Sequence, residues 1–144
     1  MTGEFAVAVH ALVYLDRRGE ALDSAAIAQN VCTNPARVRK VMTKLRQAGL
    51  VEARTGAEGG YRLLAEARRI SLRQIVDALE ERPIASCWRS GDPSIDCMVA
   101  SGMAGAMDRV YEELNRVCLD RLTAITLSDV EALLTPGAPC VSRK

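Results

Sequence analysis

The sequence predicts a mainly α-helical fold, and three features carry that prediction. Apolar residues make up 49% of the 144-residue chain, ample for one packed core, while aromatic residues make up only 3%. The core must therefore be built from Leu, Val, Ile, Ala and Met, a set that favours packed helices over a β-sandwich. Apolar positions also recur at spacings of three and four over most of the chain. The longest such run, Met98 to Leu122, implies a helix of about 25 residues, roughly 37 Å at 1.5 Å per residue.

The first helix is expected from about Glu4 to Arg18, where Phe5, Val9, Leu12 and Val13 keep an apolar stripe and Gly19 ends it. Its run FAVAVHALVYL follows no basic residue and is too short to span a bilayer, so it reads as a buried amphipathic helix and no membrane partner is expected. A second, short helix starts after Asp23 or Ser24 as cap and turns Ile27 and Val31 inward. The third has Asn34 as N-cap and Pro35 at its first position and runs to about Ala48. Val38, Val41, Met42 and Leu45 share one face of it, Arg37, Lys40, Lys44 and Arg46 lie largely on the other, and Gly49 closes it. Two helices joined by so short a turn form a helix-turn-helix unit.

The run LVEARTGAEGGYRL reads as two short strands, Leu50–Val51 and Tyr61–Leu63, around a connection rich in Gly56, Gly59 and Gly60. That makes the unit a winged helix-turn-helix, with Arg54 and Arg62 on the wing. A helix capped by Ser71 follows, packing Leu72, Ile75, Val76 and Leu79; then RPIASCWRSGDPSID, with two prolines and no period, is a long loop. In the long helix after it, Val99, Met103, Met107, Val110, Leu114 and Val117 form a seam like that of a coiled coil. Gly102 and Gly105 each cost about 1 kcal/mol there relative to Ala, which close approach of another helix would offset. The seam therefore suits a contact with a second copy; the alternatives are packing on its own domain or a helix that starts after Gly105. TLSDVEALL is a short capped helix. The expected divisions are 1–81 (winged helix-turn-helix DNA-binding domain), 82–97 (cysteine-containing loop), 98–134 (dimerisation helix and short terminal helix) and 135–144 (flexible tail).

The net charge is +1 but unevenly spread. Pro35 to Arg73 holds ten Lys and Arg against three acids, a local +7, while Asp77 to Leu134 holds five against eleven, a local −6. One surface for a polyanion and another for a different purpose would explain this asymmetry. Five cysteines, an odd number, with no signal peptide argue against a secreted disulfide framework and for a cytoplasmic protein with reduced thiols. Cys32 precedes the cap of the third helix, beside Arg37 and Arg39, where positive charge would favour the reactive thiolate; the alternative is a small buried apolar residue in the turn. Cys118 falls beside the seam and reads as core; Cys140, in the tail, reads as a free or backup thiol. Cys87 and Cys97 have nine residues between them and no nearby His, a poor zinc pattern. His10, the single histidine, reads as a packed or surface residue. No nucleophile–base pair can be assembled around it, and AEGGYRL is a wing and not a phosphate-binding loop, so no enzyme is expected.

Taken in order, the apolar first helix, NPARVRKVMTKLRQAGLVEARTG, the wing GGYRL, SLRQIVDALE, and a cysteine-containing loop before a long helix ending in AITLSDV resemble the Rrf2 family of bacterial transcription regulators over nearly the whole chain. The resemblance implies a homodimer bound to a palindromic operator in double-stranded DNA, with the long helix forming most of the dimer interface; the expected role is that of a repressor. Site residues would then be Asn34, Arg39, Lys44, Arg54, Gly59, Gly60, Tyr61 and Arg62, with Ala36, Arg37, Lys40 and Thr43 as candidates for base edges. In the thiol-switch members of the family, oxidation links the DNA-binding region of one subunit to the dimer region of the other. By that resemblance Cys32 would attack oxidant and Cys97 of the other subunit would resolve it, with no cofactor. Other members hold an iron-sulfur cluster on three closely spaced cysteines; here Cys87, Cys97 and Cys118 would be the set, and the spacing departs from that pattern. A third alternative is a regulatory subunit whose basic half contacts acidic protein instead of DNA.

Overall fold

The computed structural model describes residues 1–56 and 59–134; Ala57 and Glu58, between the strands of the wing, and the expected tail with Cys140 lie outside the described residues. The element order is α1 (Gly3–Arg18), α2 (Ser24–Val31), α3 (Pro35–Gln47), β1 (Val51–Arg54), β2 (Gly60–Leu63), α4 (Leu72–Leu79), α5 (Met98–Thr123) and α6 (Leu127–Ala132), with a single 3-10 turn at Ala67–Arg69. The fold is mainly helical, with one small antiparallel sheet, and is a winged helix-turn-helix.

Caps set the helix boundaries. Thr2, Asp23, Asn34, Ser71 and Thr126 each accept a backbone N–H from the first turn of the helix they precede. Ser71 with Gln74 and Thr126 with Asp129 complete reciprocal capping boxes. The core gathers Leu12, Ile27, Val38, Val41, Met42, Leu45, Ile75 and Val76 from the first four helices, and Leu122 and Leu127 join them. The chain end therefore folds back: α6 packs on α1 and on the 3-10 turn, and Leu72 N–H donates to Ile125 O while Leu127 N–H donates to Ile70 O.

The strands pair further than the expected Leu50–Val51 and Tyr61–Leu63. Val51 faces Leu63, Glu52 faces Arg62, Ala53 faces Tyr61 and Arg54 faces Gly60. Leu50 belongs to the turn after α3, its N–H donating to Leu45 O, and it joins the wing only by accepting from Leu64 N–H at 3.1 Å.

α5 begins at Met98, so the alternative start after Gly105 does not hold. At 26 residues it is about 39 Å long, yet its buried residues are only Asn115 and Leu122. Val99, Val110, Leu114 and Val117 are between 44% and 58% exposed and Met103 is 39% exposed, so these five seam positions do not pack on their own domain, while Met107 is half-buried. A Cβ at Gly102 or Gly105 would meet no atom within 4 Å beyond its own stretch of helix, so nothing among the described residues accounts for either glycine.

Candidate nucleic-acid interface

The inward apolar face of α3 decides what its other face shows. Val38, Val41, Met42 and Leu45 are fully buried. At about 100° per residue, Ala36, Lys40, Thr43 and Gln47 then point away from the body, with Arg39 and Arg46 on one flank and Arg37 and Lys44 on the flank toward α1. All but Lys44 are exposed. Asn34 fixes the start of this helix, its Oδ1 accepting Arg37 N–H at 2.8 Å. Thr43 Oγ1 donates to Arg39 O at 2.8 Å and Arg39 Nη1 donates to Ser24 Oγ at 3.2 Å, which ties the helix surface to the start of α2. Arg46 and Gln47 lie outside the sequence-derived set, although their spacing of three and four from Thr43 already places them near the same face.

Glu4 is a residue that sequence reasoning missed. Its carboxylate accepts from Lys40 Nζ at 2.6 Å and from Lys44 Nζ at 3.1 Å. The Lys40 hydrogen bond, and after it that of Lys44, hold the Glu4 carboxyl below the usual glutamate range. Lys44 also donates to Leu79 O at 3.4 Å, so it joins α3 to α1 and α4 more than it faces outward. Glu4 sits 36 residues or more from both lysines, and no local pattern signals such a pair.

The wing hangs on a backbone clip. Leu22 N–H donates to Tyr61 O at 3.1 Å and Tyr61 N–H donates to Leu22 O at 2.8 Å, adding a one-residue bridge to the edge of β2. Gly60, at φ 142°, lies against this bridge: a Cβ there would come within 2.6 Å of the Leu22 carbonyl carbon, so glycine alone permits the approach. At Gly59 a Cβ would crowd Arg54 O and Gly56 O. The Tyr61 ring packs, half-buried, against the core, while Arg62 and Arg54 stay exposed, Arg54 paired with Glu52 at 3.2 Å. The structure thus places α3 and the wing side by side, with Arg39, Lys40, Thr43, Arg54 and Arg62 on exposed positions.

The cysteines fall in different surroundings. Cys32 is exposed, but it is the C-cap of α2, in the left-handed region at φ 59°. Its sulfur lies 3.8 Å from the carbonyl oxygens of Gln29 and Asn30, at the end of α2. Cys97, also exposed, is the N-cap residue of α5, and the backbone N–H groups of Ala100 and then Val99 hold its thiol below the ordinary cysteine range. Cys87 is exposed in the loop, and Cys118 packs half-buried against the core. His10 lies on the surface, its Nε2 2.9 Å from Asn30 Oδ1.

A family model described as Rrf2, iron-dependent transcriptional regulator, matches residues 1–132. A Neisseria meningitidis protein named as an HTH-type transcriptional regulator is 31% identical over 128 residues, covering 89% of this chain and 83% of that one. The HTH-type transcriptional regulator IscR of Vibrio vulnificus is 29% identical over 134 residues, covering 91% and 77%. Among solved structures, one described as a transcriptional regulator from Lactobacillus plantarum superposes with a TM-score of 0.76 at 23% identity, covering 92% of this chain and 89% of that chain, a likeness of fold alone. Another, described as a DNA-binding protein, gives 0.68 at 29% identity, covering 89% and 98%. The iron in the family description does not fit the donors present here. Among the described residues no three His, Cys, Asp or Glu side chains are gathered to hold a metal ion. Cys118 lies about 31 Å along α5 from Cys97, so the set Cys87, Cys97 and Cys118 cannot share one centre within a chain.

Proposed function

The chain belongs to the Rrf2 family of transcriptional regulators, and from that premise we propose that it works in the cytoplasm as a homodimer that binds a palindromic operator, acts as a repressor, and releases DNA when its thiols are oxidised. The observation that carries this reading is the exposed apolar seam of α5, a surface that a second copy would cover. A two-fold dimer presents two α3 helices to successive major grooves, about 34 Å apart on B-DNA. Residues 1–81 would supply the DNA contacts, and the exposed seam of α5 the contact with the second copy.

In each half, Ala36, Arg37, Lys40 and Thr43 would face base edges, while Arg39, Arg54 and Arg62 would take phosphates. Asn34, Gly59, Gly60 and Tyr61 would act by positioning α3 and the wing. Binding to a labelled palindromic fragment from the protein's own promoter should weaken steeply as salt rises, by a factor on the order of a thousand between low and physiological salt if about six phosphates are neutralised. A salt-independent interaction, or equal affinity for scrambled DNA, would contradict the reading.

Glu4 would compete with DNA for Lys40, and hold Lys44 away from it. Glu4→Gln is expected to tighten binding to non-specific duplex severalfold at low salt, read by fluorescence anisotropy. The same variant has a stability signature. Because the folded carboxyl titrates below the ordinary glutamate value of 4.5, the pairing contributes stability above that value and loses it as pH falls through the lower folded value. Glu4→Gln should remove that part of the acid unfolding profile.

The thiol switch would run between Cys97 of one subunit and Cys32 of the other. Cys97 thiolate attacks a hydroperoxide oxygen, forming a sulfenic acid and releasing water or an alcohol after protonation. The Cys32 thiol then attacks the sulfenic sulfur, forming the disulfide and releasing water. The lowered Cys97 thiol supports this order, the reverse of the one the sequence suggests. The bridge would shift the two α3 helices off the DNA repeat.

A further inference from the structure

The loop between α4 and α5 is strapped along the helix that follows it, in the opposite direction. Arg82 pairs with Glu112 at 3.2 Å, the backbone N–H and C=O of Ile84 are both held by the Asn115 amide at 2.8 Å, Arg89 pairs with Asp108 at 2.6 Å, and Asp92 N–H donates to Ala100 O at 3.0 Å. Asn115 is the one buried polar residue among those described, 5% exposed. Gly91, at φ 83°, presses so closely on Ala100 O that no side chain would fit there. Four fastenings along one helix face hold the strap in place, and they leave a cleft of about 450 Å³ beneath it. That volume lies in the range of small-molecule sites.

The chemistry of the cleft selects among ligands. Met107 and Tyr111 on α5 and Trp88 on the strap give its mixed lining an apolar and aromatic part, and the Ser86 hydroxyl fixes the turn that carries Trp88 by donating to its carbonyl at 2.6 Å. The rim holds both signs of charge, Arg82 and Arg89 against Asp108 and Glu112, which lie one helical turn apart. Both ion pairs are half or more exposed, so exchanging protein partners for ligand partners costs little. A ligand with one sign of charge would meet repulsion as well as attraction; a zwitterion with an apolar body matches both.

We propose that the cleft between the strap and α5 binds a free α-amino acid with an aromatic or large aliphatic side chain. Its carboxylate pairs with Arg89, its ammonium with Asp108, and its side chain lies against Trp88 and Tyr111. Binding at this site depends on neither DNA nor thiol oxidation, so its failure would leave the regulator reading intact.

Trp88 is the chain's single tryptophan and is 72% exposed, so its fluorescence reports on the cleft directly. The full-length reduced protein is titrated with L-phenylalanine and L-leucine, and in parallel with 3-phenylpropionate and phenethylamine, which each keep one charge. The expected result is a saturable change with an amino acid and about tenfold or weaker binding for both single-charge analogues. Asp108→Asn, checked for fold by circular dichroism and for binding by calorimetry, should lose affinity about tenfold, and Trp88→Phe should retain it. No saturable response to either amino acid up to millimolar concentration, or equal binding of the single-charge analogues, would overturn the proposal.

Discussion

Leu114→Glu in α5 is expected to turn the protein into a folded monomer that binds its operator at least a hundredfold more weakly. The expectation follows from where the side chain lies. Leu114 is 44% exposed within its own subunit, so a carboxylate there meets solvent and the subunit core is untouched. In a dimer the same position sits in a seam with Val110 and Val117, where two unpaired carboxylates would be desolvated and repel each other. Circular dichroism should show unchanged helicity, and gel mobility shift should show the loss of affinity, since each half-site would have to be bound alone. If the variant stays dimeric and binds as wild type does, the seam is not the interface.

The second large effect concerns the thiols. Cys97→Ser should abolish hydroperoxide-induced release of DNA, while Cys32→Ser should still form a sulfenic acid at Cys97 but no intersubunit bridge on non-reducing gels. Cys87→Ser should behave as wild type. The reason is local: Cys97 stands at the start of a 26-residue helix, where the backbone N–H groups of Ala100 and Val99 lower its thiol, while the Cys32 sulfur lies beside the carbonyl oxygens of Gln29 and Asn30. Mass-mapped thiol modification should therefore show Cys97 reacting faster than Cys32, on the order of tenfold. Equal rates, or a switch that survives Cys97→Ser, would contradict the assignment. The disulfide also requires the two Cα atoms to come within about 7 Å across the dimer.

How much of this was legible in the sequence differs by kind of interaction. The start of α3 was readable because Asn34 and Pro35 act within one turn, and its buried face because Val38, Val41, Met42 and Leu45 follow the helical period. The strands were readable but their length was not, because Glu52, Ala53 and Arg54 carry no apolar alternation. Leu22 gave no sign of its bridge to Tyr61, since that pairing uses backbone atoms alone. The Glu4 contacts with Lys40 and Lys44 depend on how α1 crosses α3, a tertiary fact with no local pattern. The place of Cys32 as the left-handed C-cap of α2, with its sulfur beside Gln29 O, was not legible, because a residue other than glycine or asparagine gives no signal of that backbone conformation. The strap along α5 read only as a long loop because three of its four fastenings join residues 19 to 31 positions apart through side chains, and the fourth, Asp92 N–H to Ala100 O, uses backbone atoms alone.

If the apolar seam of α5 joins two copies of this chain, sedimentation equilibrium of the reduced protein over a wide concentration range should show a species of twice the 15.6 kDa chain mass that persists on dilution. A single 15.6 kDa chain at every concentration, with α5 still helical, would contradict it.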